Sequence, residues 1–248
     1  MNRGHAIITG GLGGLGTAMT QKLCAMGIQV IATDRRPEDF EAWRAALPAE
    51  FRDMVSFYPL DVTKEESVNE LAATLAARKI DVAYLINNAG IQGAGKPWTM
   101  DSKTWRRVMN VNITGTFYMT RAFSEAMVNR GFGRIVNLAS VAAYDAGRGQ
   151  GPYAAGKAAI TGYTRSTALD LARYGVTVNA IAPGLIWHPR LEGVVQDSVR
   201  EGMSSSVPMG RTGRPEEIGA TVAFLCSEGA SYITGQTIHV NGGLYLPG

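Results

Sequence analysis

Hydrophobic residues along this chain fall into two alternating patterns, which are short aliphatic and β-branched runs and longer stretches with helical periodicity. The short runs have the length and composition of buried strands. Seven of them stand out: Ala6–Ile8, Gln29–Ala32, Val55–Tyr58, Val82–Ile86, Arg134–Leu138, Val176–Ile181 and Thr237–Val240. Strands separated by helices join through right-handed crossovers, so we predict a doubly wound α/β sandwich of three layers with a seven-stranded, mostly parallel sheet.

Two helix starts carry recognisable end signals. In the stretch Thr63–Glu66 the threonine can accept a hydrogen bond from the amide of the glutamate, whose side chain can reach back, and this predicts a capping box. The stretch Pro215–Glu217 predicts a second start. Proline lacks only a donor that the first turn does not use, and acids there suit the helix dipole.

The length of 248 residues fits one domain, and no internal repeat or low-complexity linker divides the chain. We therefore predict a single dinucleotide-binding and catalytic domain over residues 1–248. Its longest stretch without clear periodicity runs from about Gly184 to Arg214. Such a stretch in a compact domain is typical of a functional lid, which we place at about residues 185–213.

The composition excludes several classes of protein. With 46% hydrophobic and 18% charged residues, the chain is neither fibrous nor disordered. Its 24 basic residues are balanced by 21 acids and form no continuous basic stripe, so we expect no nucleic-acid partner. No apolar run approaches the roughly 20 residues that cross a bilayer, so we expect no membrane partner.

The two cysteines, Cys24 and Cys226, lie in apolar helical patterns without histidine or cysteine at metal-ligand spacing. We predict buried free thiols and no metal site. The first residues, Met1–His5, lack the apolar core and cleavage site of a signal peptide. Free thiols suit a reducing compartment, so we expect a cytoplasmic protein.

A glycine-rich turn, Thr9–Gly16, follows the first predicted strand and opens the first long helix. Glycine allows positive φ, and backbone without side chains can approach a pyrophosphate at a helix N-terminus. A purely structural tight turn is the alternative, but the flanking strand and helix favour a dinucleotide. The predicted binding residues here are Thr9, Gly10, Gly14, Leu15 and Gly16.

The second predicted strand ends at Asp34, eighteen residues after Gly16, where a carboxylate can accept hydrogen bonds from an adenosine ribose. Its charge would repel a 2′-phosphate. Arg35 and Arg36 follow and could instead pair with such a phosphate. We predict NAD as cofactor, with NADP as the alternative and Arg35 as a further contact; a strand-end turn residue is the non-functional interpretation of Asp34.

Tyr153 and Lys157 lie four residues apart at the start of a long helix, and therefore on one face. A phenol is a poor base at neutral pH, and a nearby ammonium lowers its pKa. Such a pair also occurs by chance, so its surroundings matter. Ser140 ends the fifth strand at the edge where doubly wound sheets bind ligands, and Asn112 lies in the preceding long helix.

Asn87 and Asn88 close the fourth strand at the same edge. Their amides could contact a ligand. Satisfying buried polar groups is an equally good interpretation, because most buried polar atoms in proteins serve that purpose.

These residues resemble the short-chain dehydrogenase/reductase family, in its simple single-domain branch with a Rossmann-type fold, and the likeness runs from end to end. It rests on an ordered set of motifs: Thr9, Gly10, Gly14 and Gly16; Asp61–Val62; Asn87–Gly90; Asn112, Ser140, Tyr153 and Lys157; Pro183–Gly184; Arg211–Glu217; Ile233–Gly235; and Asn241–Gly243. The resemblance implies that Tyr153 exchanges a proton with an alcohol or ketone, that Ser140 polarises the substrate oxygen and that Asn112 holds a relay water. Lys157 would bind the nicotinamide ribose and depress the pKa of Tyr153.

The resemblance also implies further cofactor contacts, from Asp61, Val62, Asn88, Ala89, Gly90, Tyr153, Lys157, Pro183, Gly184 and Ile186. One position departs from the family pattern. A threonine often stands four residues beyond the glycine of Pro183–Gly184 and contacts the nicotinamide carboxamide, but here that residue is His188. It could replace the donor, reach toward the substrate or face solvent.

Two segments of the chain are expected to wall the substrate pocket. One contains Tyr144, Arg148 and Gln150, and the other, in the lid, contains Trp187, His188 and Arg190. The two arginines could accept a carboxylate, sulfonate or phosphate on the substrate, although arginines in polar loops are more often solvated.

The sequence therefore predicts a nicotinamide-dependent oxidoreductase for a secondary alcohol or ketone, and two alternatives stay open. The glycine turn and the Asn241–Leu244 tail look like acetoacetyl-CoA reductases, which commonly use NADPH. A non-catalytic dinucleotide-binding protein would not need the four catalytic residues together. The helix over Tyr153–Tyr174 is rich in small residues, and the family packs the corresponding helix against its copy, so we expect a homotetramer. Small residues could equally face the protein's own sheet.

Overall fold

The computed structural model describes residues 4–187 and 197–247, with the backbone alone for 197–200. Its sheet has seven strands in the order β3-β2-β1-β4-β5-β6-β7, and every pair of neighbours runs parallel. The strands are β1 His5–Thr9, β2 Val30–Asp34, β3 Val55–Pro59, β4 Val82–Asn87, β5 Gly133–Leu138, β6 Val176–Pro183 and β7 Thr237–Val240. The prediction of a doubly wound, mostly parallel seven-stranded sheet is confirmed.

Helices cover both faces of this sheet. Their bounds are α1 Gly14–Ala25, α2 Phe40–Ala45, α3 Glu65–Ala77, α4 Ser102–Met109, α5 Gly115–Arg130, α6 Gly151–Leu171, α7 Asp197–Ser205 and α8 Pro215–Cys226. Helices α1 and α8 bury their apolar sides in one core cluster, while α3 and α5 contribute to a second. The alternation of strand side chains feeds both clusters, since Ala6 and Ile8 lie in the first and Ile7 in the second.

The two predicted helix starts have different outcomes. The capping box at Thr63 is wrong, because α3 begins at Glu65 and the Thr63 hydroxyl donates to Asp61 Oδ1 at 2.7 Å. Lys64 is the N-cap residue of α3, so Thr63 stands one residue before the position that a capping threonine occupies. The start at Pro215 is confirmed, and the Arg214 amide donates to the Glu217 carboxylate at 2.7 Å.

The segment predicted as an irregular lid contains regular structure. Helix α7 lies within it, and Ile186 forms a parallel bridge with Gly213, so the two ends of the segment are tied together. The amide of Gly213 donates to Leu185 O at 2.8 Å and the amide of Trp187 donates to Gly213 O at 2.9 Å. The two ends of this segment are thus joined beside β6.

Both cysteines are buried free thiols, as predicted. Burial raises the pKa of Cys24 to about 11 and that of Cys226 to about 12. Within the described ranges no cluster of three or more histidine, cysteine, aspartate or glutamate side chains could hold a metal ion. No helix in the same part of the chain is long and apolar enough to span a membrane.

Candidate active site

The glycine turn between β1 and α1 has the conformation that close backbone approach requires. Gly10 has a φ of +63°, in the left-handed region. A Cβ on Gly16 would lie 2.5 Å from the carbonyl oxygen of Gly11 and 2.7 Å from that of Gly10. Since α1 begins at Gly14, the open backbone of this turn stands at a helix N-terminus, which fits an anionic pyrophosphate.

We expect Gly16→Ala to weaken NADH binding by at least about tenfold, which corresponds to 1.4 kcal/mol. The added methyl group would force the turn apart, and overpacking of this kind also lowers the free energy of unfolding by about 1–3 kcal/mol. Calorimetric titration with NADH and urea unfolding measure the two effects.

The matched control is Gly202→Ala, because a Cβ there would meet nothing within 4 Å. This substitution within α7 should leave NADH binding unchanged and stabilise the protein by up to about 1 kcal/mol. Unchanged NADH binding in Gly16→Ala would contradict the requirement for glycine.

Thr9 and Asn88 fasten the glycine turn to the end of β4. The Thr9 hydroxyl accepts from the amides of Asn88 at 3.0 Å and Ala89 at 2.9 Å. In return, Asn88 Nδ2 donates to the carbonyl oxygens of Thr9 at 2.9 Å and Gly10 at 3.1 Å. The Asn88 amide therefore serves the backbone of the turn.

The neighbouring Asn87 belongs to a buried polar network. Its Nδ2 donates to Asn137 Oδ1 at 2.8 Å and to Thr120 Oγ1 at 3.3 Å, while Asn137 Nδ2 donates to Thr164 Oγ1 at 2.9 Å. This network links β4 to β5 and to helices α5 and α6. The interpretation of Asn87 and Asn88 as residues that satisfy buried polar groups agrees with these contacts.

A cleft of about 530 Å³ lies beyond the turn at the end of β2, and we call it the Asp34 cleft. Asp34 Oδ1 accepts from the Arg35 amide at 2.8 Å and lies 3.8 Å from Arg36 Nε. Arg36 also pairs with Asp39 at 3.0 Å. The cleft is lined by Gly10, Thr33, Asp34, Arg35, Arg36, Leu60, Asp61, Val62, Ala89, Gly90, Ile91, Arg107 and Val111.

Asp61 is held as a carboxylate at this cleft. Burial by itself would raise the pKa of Asp61. The hydrogen bonds from Thr63 and the charges of Arg35 and Lys64 outweigh that effect, so the pKa lies below its ordinary value. The Asp34 cleft therefore carries two carboxylates beside its arginines.

A second cleft of about 470 Å³ lies at the ends of β4, β5 and β6, and we call it the Tyr153 cleft. It brings Ser140, Tyr153 and Lys157 together, as the sequence predicted. Its lining residues are Leu15, Asn88, Gly90, Ile91, Gln92, Leu138, Ala139, Ser140, Tyr153, Lys157, Pro183, Gly184, Leu185, Ile186 and Met203. Gly90 and Ile91 line both clefts, which therefore meet.

The electrostatics of the Tyr153 cleft differ from the expectation that Lys157 lowers the pKa of Tyr153. Burial raises the pKa of Tyr153, opposed by a hydrogen bond with Ser140. Lys157 Nζ lies 5.8 Å from the centre of the Tyr153 ring and donates to Leu138 O at 2.5 Å. The ammonium group thus serves a backbone carbonyl, and its own burial lowers the pKa of Lys157 to about 8.

Asn112 lies in a π-helical turn, Asn110–Thr114, that joins α4 to α5, and not in a regular helix as predicted. Both ends of its side chain bind the backbone of Ile91. The Ile91 amide donates to Asn112 Oδ1 at 2.8 Å, and Asn112 Nδ2 donates to the Ile91 carbonyl oxygen at 3.0 Å. The residue thereby holds the segment where the two clefts meet.

The predicted substrate residues are placed less uniformly. Tyr144 stacks on Tyr245 at a centroid distance of 5.2 Å, and Gln150 Oε1 accepts from the Gly147 amide at 3.0 Å. The lining of the Tyr153 cleft does not include Tyr144, Arg148, Gln150 or Trp187. His188 and Arg190 lie outside the described residues.

Several lining residues were not predicted from the sequence. Gln92 follows Gly90 by two residues, so the rule that ligands bind at the carboxyl ends of strands could have found it. Met203 reaches the Tyr153 cleft from α7, and Arg107 reaches the Asp34 cleft from α4. Neither has a local sequence signal, because each depends on how a helix packs above the sheet.

The two clefts together fit an extended dinucleotide. The Asp34 cleft contains Gly10, Asp34, Arg35, Asp61, Val62, Ala89 and Gly90 of the predicted cofactor residues, and the Tyr153 cleft contains Leu15, Asn88, Gly90, Tyr153, Lys157, Pro183, Gly184 and Ile186. A Cβ on Gly90 would lie 3.2 Å from Lys157 Nζ, so glycine keeps the junction open.

Known proteins resemble this chain over nearly its whole length. A family model described as enoyl-(acyl carrier protein) reductase matches residues 10–245. A 3-oxoacyl-[acyl-carrier-protein] reductase of Haemophilus influenzae is 38% identical over 241 residues, which are 97% of this chain and 98% of that protein. Nodulation protein G of Azospirillum brasilense is 40% identical over 246 residues, or 98% of this chain and 99% of the relative.

The fold has a close counterpart among solved structures. A protein of Agrobacterium tumefaciens, provisionally assigned as a gluconate dehydrogenase, matches with a TM-score of 0.92 and 31% sequence identity. The match covers 98% of this chain and 96% of that protein. The names of the Haemophilus and Agrobacterium proteins refer to oxidoreductases for different substrates.

Proposed function

This chain belongs to the short-chain dehydrogenase/reductase family, and from that membership we propose that it interconverts a ketone and a secondary alcohol with NAD as its cofactor. As a family member it is an oxidoreductase with a nicotinamide dinucleotide cofactor. One observation carries the proposal, which is that Ser140, Tyr153 and Lys157 line a cleft that joins the Asp34 cleft at Gly90. We propose that one domain over residues 1–248 holds both clefts.

The proposed roles follow from the atoms that each side chain offers. The Tyr153 hydroxyl donates a proton to the carbonyl oxygen in reduction, and its raised pKa keeps it protonated and able to do so. The Ser140 hydroxyl orients the same oxygen. When bound, the nicotinamide gives or accepts the hydride. Lys157 binds the ribose of the nicotinamide. Asn112 holds the backbone of Ile91 in place and, with it, the position of a relay water.

NAD is favoured over NADP because Asp34 presents a carboxylate at the end of β2. Its Oδ1 is engaged by the Arg35 amide, and Arg36 divides its charge between Asp34 and Asp39. The second carboxylate, Asp61, adds negative charge to the same cleft. Arg35, Arg36 and Arg107 line the same cleft, but Arg36 is engaged by Asp34 and Asp39, and Asp34 stands where the ribose is expected, so its charge opposes a 2′-phosphate there.

The wild-type protein is expected to prefer NADH over NADPH by at least about tenfold in kcat/KM, and Asp34→Ala should narrow or reverse that preference. Removing the carboxylate deletes both a ribose acceptor and a repulsive charge. Initial rates with both cofactors and a ketone panel measure the effect. The matched control is Asp39→Ala, which also removes an ion-pair partner of Arg36 and should leave the cofactor preference unchanged. A wild-type protein that prefers NADPH would refute the assignment of NAD.

A 3-oxoacyl thioester is the second candidate substrate, favoured by the 38% identity to a 3-oxoacyl-[acyl-carrier-protein] reductase. A panel that contains acetoacetyl-CoA, simple ketones and sugar-derived keto acids separates the candidates by kcat/KM. An anionic substrate, which Arg148 and Arg190 were predicted to bind, requires that Arg148→Ala and Arg190→Ala raise KM for it. Dinucleotide binding without any turnover would instead favour the non-catalytic alternative.

We also propose a homotetramer in which α6 packs against its copy. Leu169 on this helix is 82% exposed, a large apolar side chain that a partner helix would cover. Light scattering of the purified protein tests this assembly.

A further inference from the structure

Arg107 is a charged residue of the Asp34 cleft that neither the catalytic nor the predicted cofactor set includes. It lies near the end of α4, and Val111, four residues later in the π-helical turn, lines the same cleft. Residues four apart on a helix share one face, so this face of α4 looks toward Asp34 and Asp61. Its neighbour Arg106 is also exposed but lines neither described cleft.

Arg107 differs from the other two arginines of the cleft in its partners. Arg36 is paired with Asp34 and Asp39. Arg35 lies close enough to Asp61 for its charge to act on that carboxyl. Among the residues that the structure describes, the side chain of Arg107 has no hydrogen bond, ion pair or ring contact. It is a cation at a cleft wall with its donors and its planar face still available.

The lining around Arg107 indicates what this group would meet. Leu60, Val62, Ile91 and Val111 make the adjoining walls apolar. Such walls suit a flat, uncharged ring better than an anion, because apolar side chains offer a charged group no hydrogen bonds. A guanidinium plane stacks on an aromatic ring and is weakly hydrated, so little solvation is lost when it is covered.

We propose that Arg107 is a further cofactor-binding residue, whose guanidinium packs against the adenine ring of the dinucleotide. This proposal rests on the proposed function, because it assumes that the Asp34 cleft receives the adenosine half of the cofactor. It assigns to α4 a direct part in cofactor recognition.

The experiment is calorimetric titration of AMP, NADH and 2′,5′-ADP into the wild type, Arg107→Ala, Arg107→Lys and Arg106→Ala. We expect Arg107→Ala to weaken AMP and NADH by about three- to tenfold, as for a partly exposed cation–π contact. Arg107→Lys should recover only part of this loss, because an ammonium lacks the planar face. Arg106→Ala, the matched control on the same helix, should bind as the wild type does.

The outcomes separate the two proposals. If the wild type binds AMP and NADH but Arg107→Ala binds them equally well, the role of Arg107 is refuted and the proposed function stands. If Arg107→Ala weakens 2′,5′-ADP alone and Arg107→Lys restores it fully, Arg107 is a phosphate contact and adenine packing is refuted. If the wild type binds none of the three nucleotides, the proposed function fails together with this inference.

Discussion

Tyr153→Phe is expected to lower kcat for ketone reduction by about 10²–10⁴-fold, the usual contribution of a positioned general acid. The substitution removes the only hydroxyl of that side chain and keeps its ring in the Tyr153 cleft. NADH affinity should change by less than about twofold, because the ring that faces Lys157 remains. Steady-state rates and calorimetric titration measure the two quantities on the same preparation.

Tyr163→Phe is the control for this substitution, because Tyr163 lies on the same helix and its ring contacts Phe117. It should keep near wild-type rates. Comparable activity in Tyr153→Phe and Tyr163→Phe would show that the proton comes from elsewhere. A loss of NADH binding in Tyr153→Phe would show that the tyrosine acts on the cofactor and not only on the substrate.

Lys157→Met is expected to abolish most activity and, at pH 7, to raise the free energy of unfolding of the ligand-free protein. Burial lowers the pKa of Lys157 from 10.5 to about 8, so the buried ammonium destabilises the folded state. Below pH 8 Lys157 is protonated in both the folded and the unfolded chain, so the folded state bears the full free-energy cost of burying its charge. Between about pH 8 and 10.5 only the unfolded chain keeps the proton, so the stability of the wild type rises toward that of the variant.

Relative to Lys157→Met, the free energy of unfolding of the wild type should rise by about 3 kcal/mol between pH 7 and pH 10.5, because each unit of pKa difference corresponds to 1.36 kcal/mol. Urea unfolding of wild type and Lys157→Met across this range gives the difference directly, since other titrating groups contribute equally to both. Lys103→Met, at an exposed site on α4, is the control for the loss of a lysine outside the core. A stability difference between wild type and Lys157→Met that stays constant with pH would contradict the lowered pKa of Lys157.

The fold could be predicted because its information is local and repeated. Each strand is a short apolar run whose alternate side chains enter opposite core clusters, as Ala6, Ile7 and Ile8 do. Each long helix has an apolar stripe that must cover one of those clusters, and parallel order follows from the connecting helices. End signals were less reliable. At Thr63 the capping box fails because the helix begins at Glu65, with Lys64 as its N-cap, and the threonine hydroxyl donates to Asp61 instead.

The site could be predicted where it lies at strand ends and where Tyr153 and Lys157 share one face of a helix. Asp34, Ser140 and Gly90 stand where strands of a parallel sheet end, and the structure places each of them at one of the two clefts. The π-helical turn that holds Asn112 has no sequence signal of its own, because an extra residue in a helix is a matter of tertiary packing.

The walls above the sheet could not be predicted at all. Arg107 and Met203 come from helices whose position depends on long-range packing, and pattern along the chain does not report it. Arg148 was selected for its charge in a polar loop, yet it lies outside the lining of the Tyr153 cleft. The charge of a loop residue was therefore a poorer guide to the lining of the cleft than a position at the end of a strand.

The two buried thiols make this protein convenient for spectroscopy. Cys24 and Cys226 are each 3% exposed, and their raised pKa values leave almost no thiolate at neutral pH. A cysteine introduced at exposed Ser205, on α7, would be the one thiol that a maleimide dye labels readily. Fluorescence from that single position would then show whether α7 changes its surroundings when cofactor is added, with both native cysteines left in place.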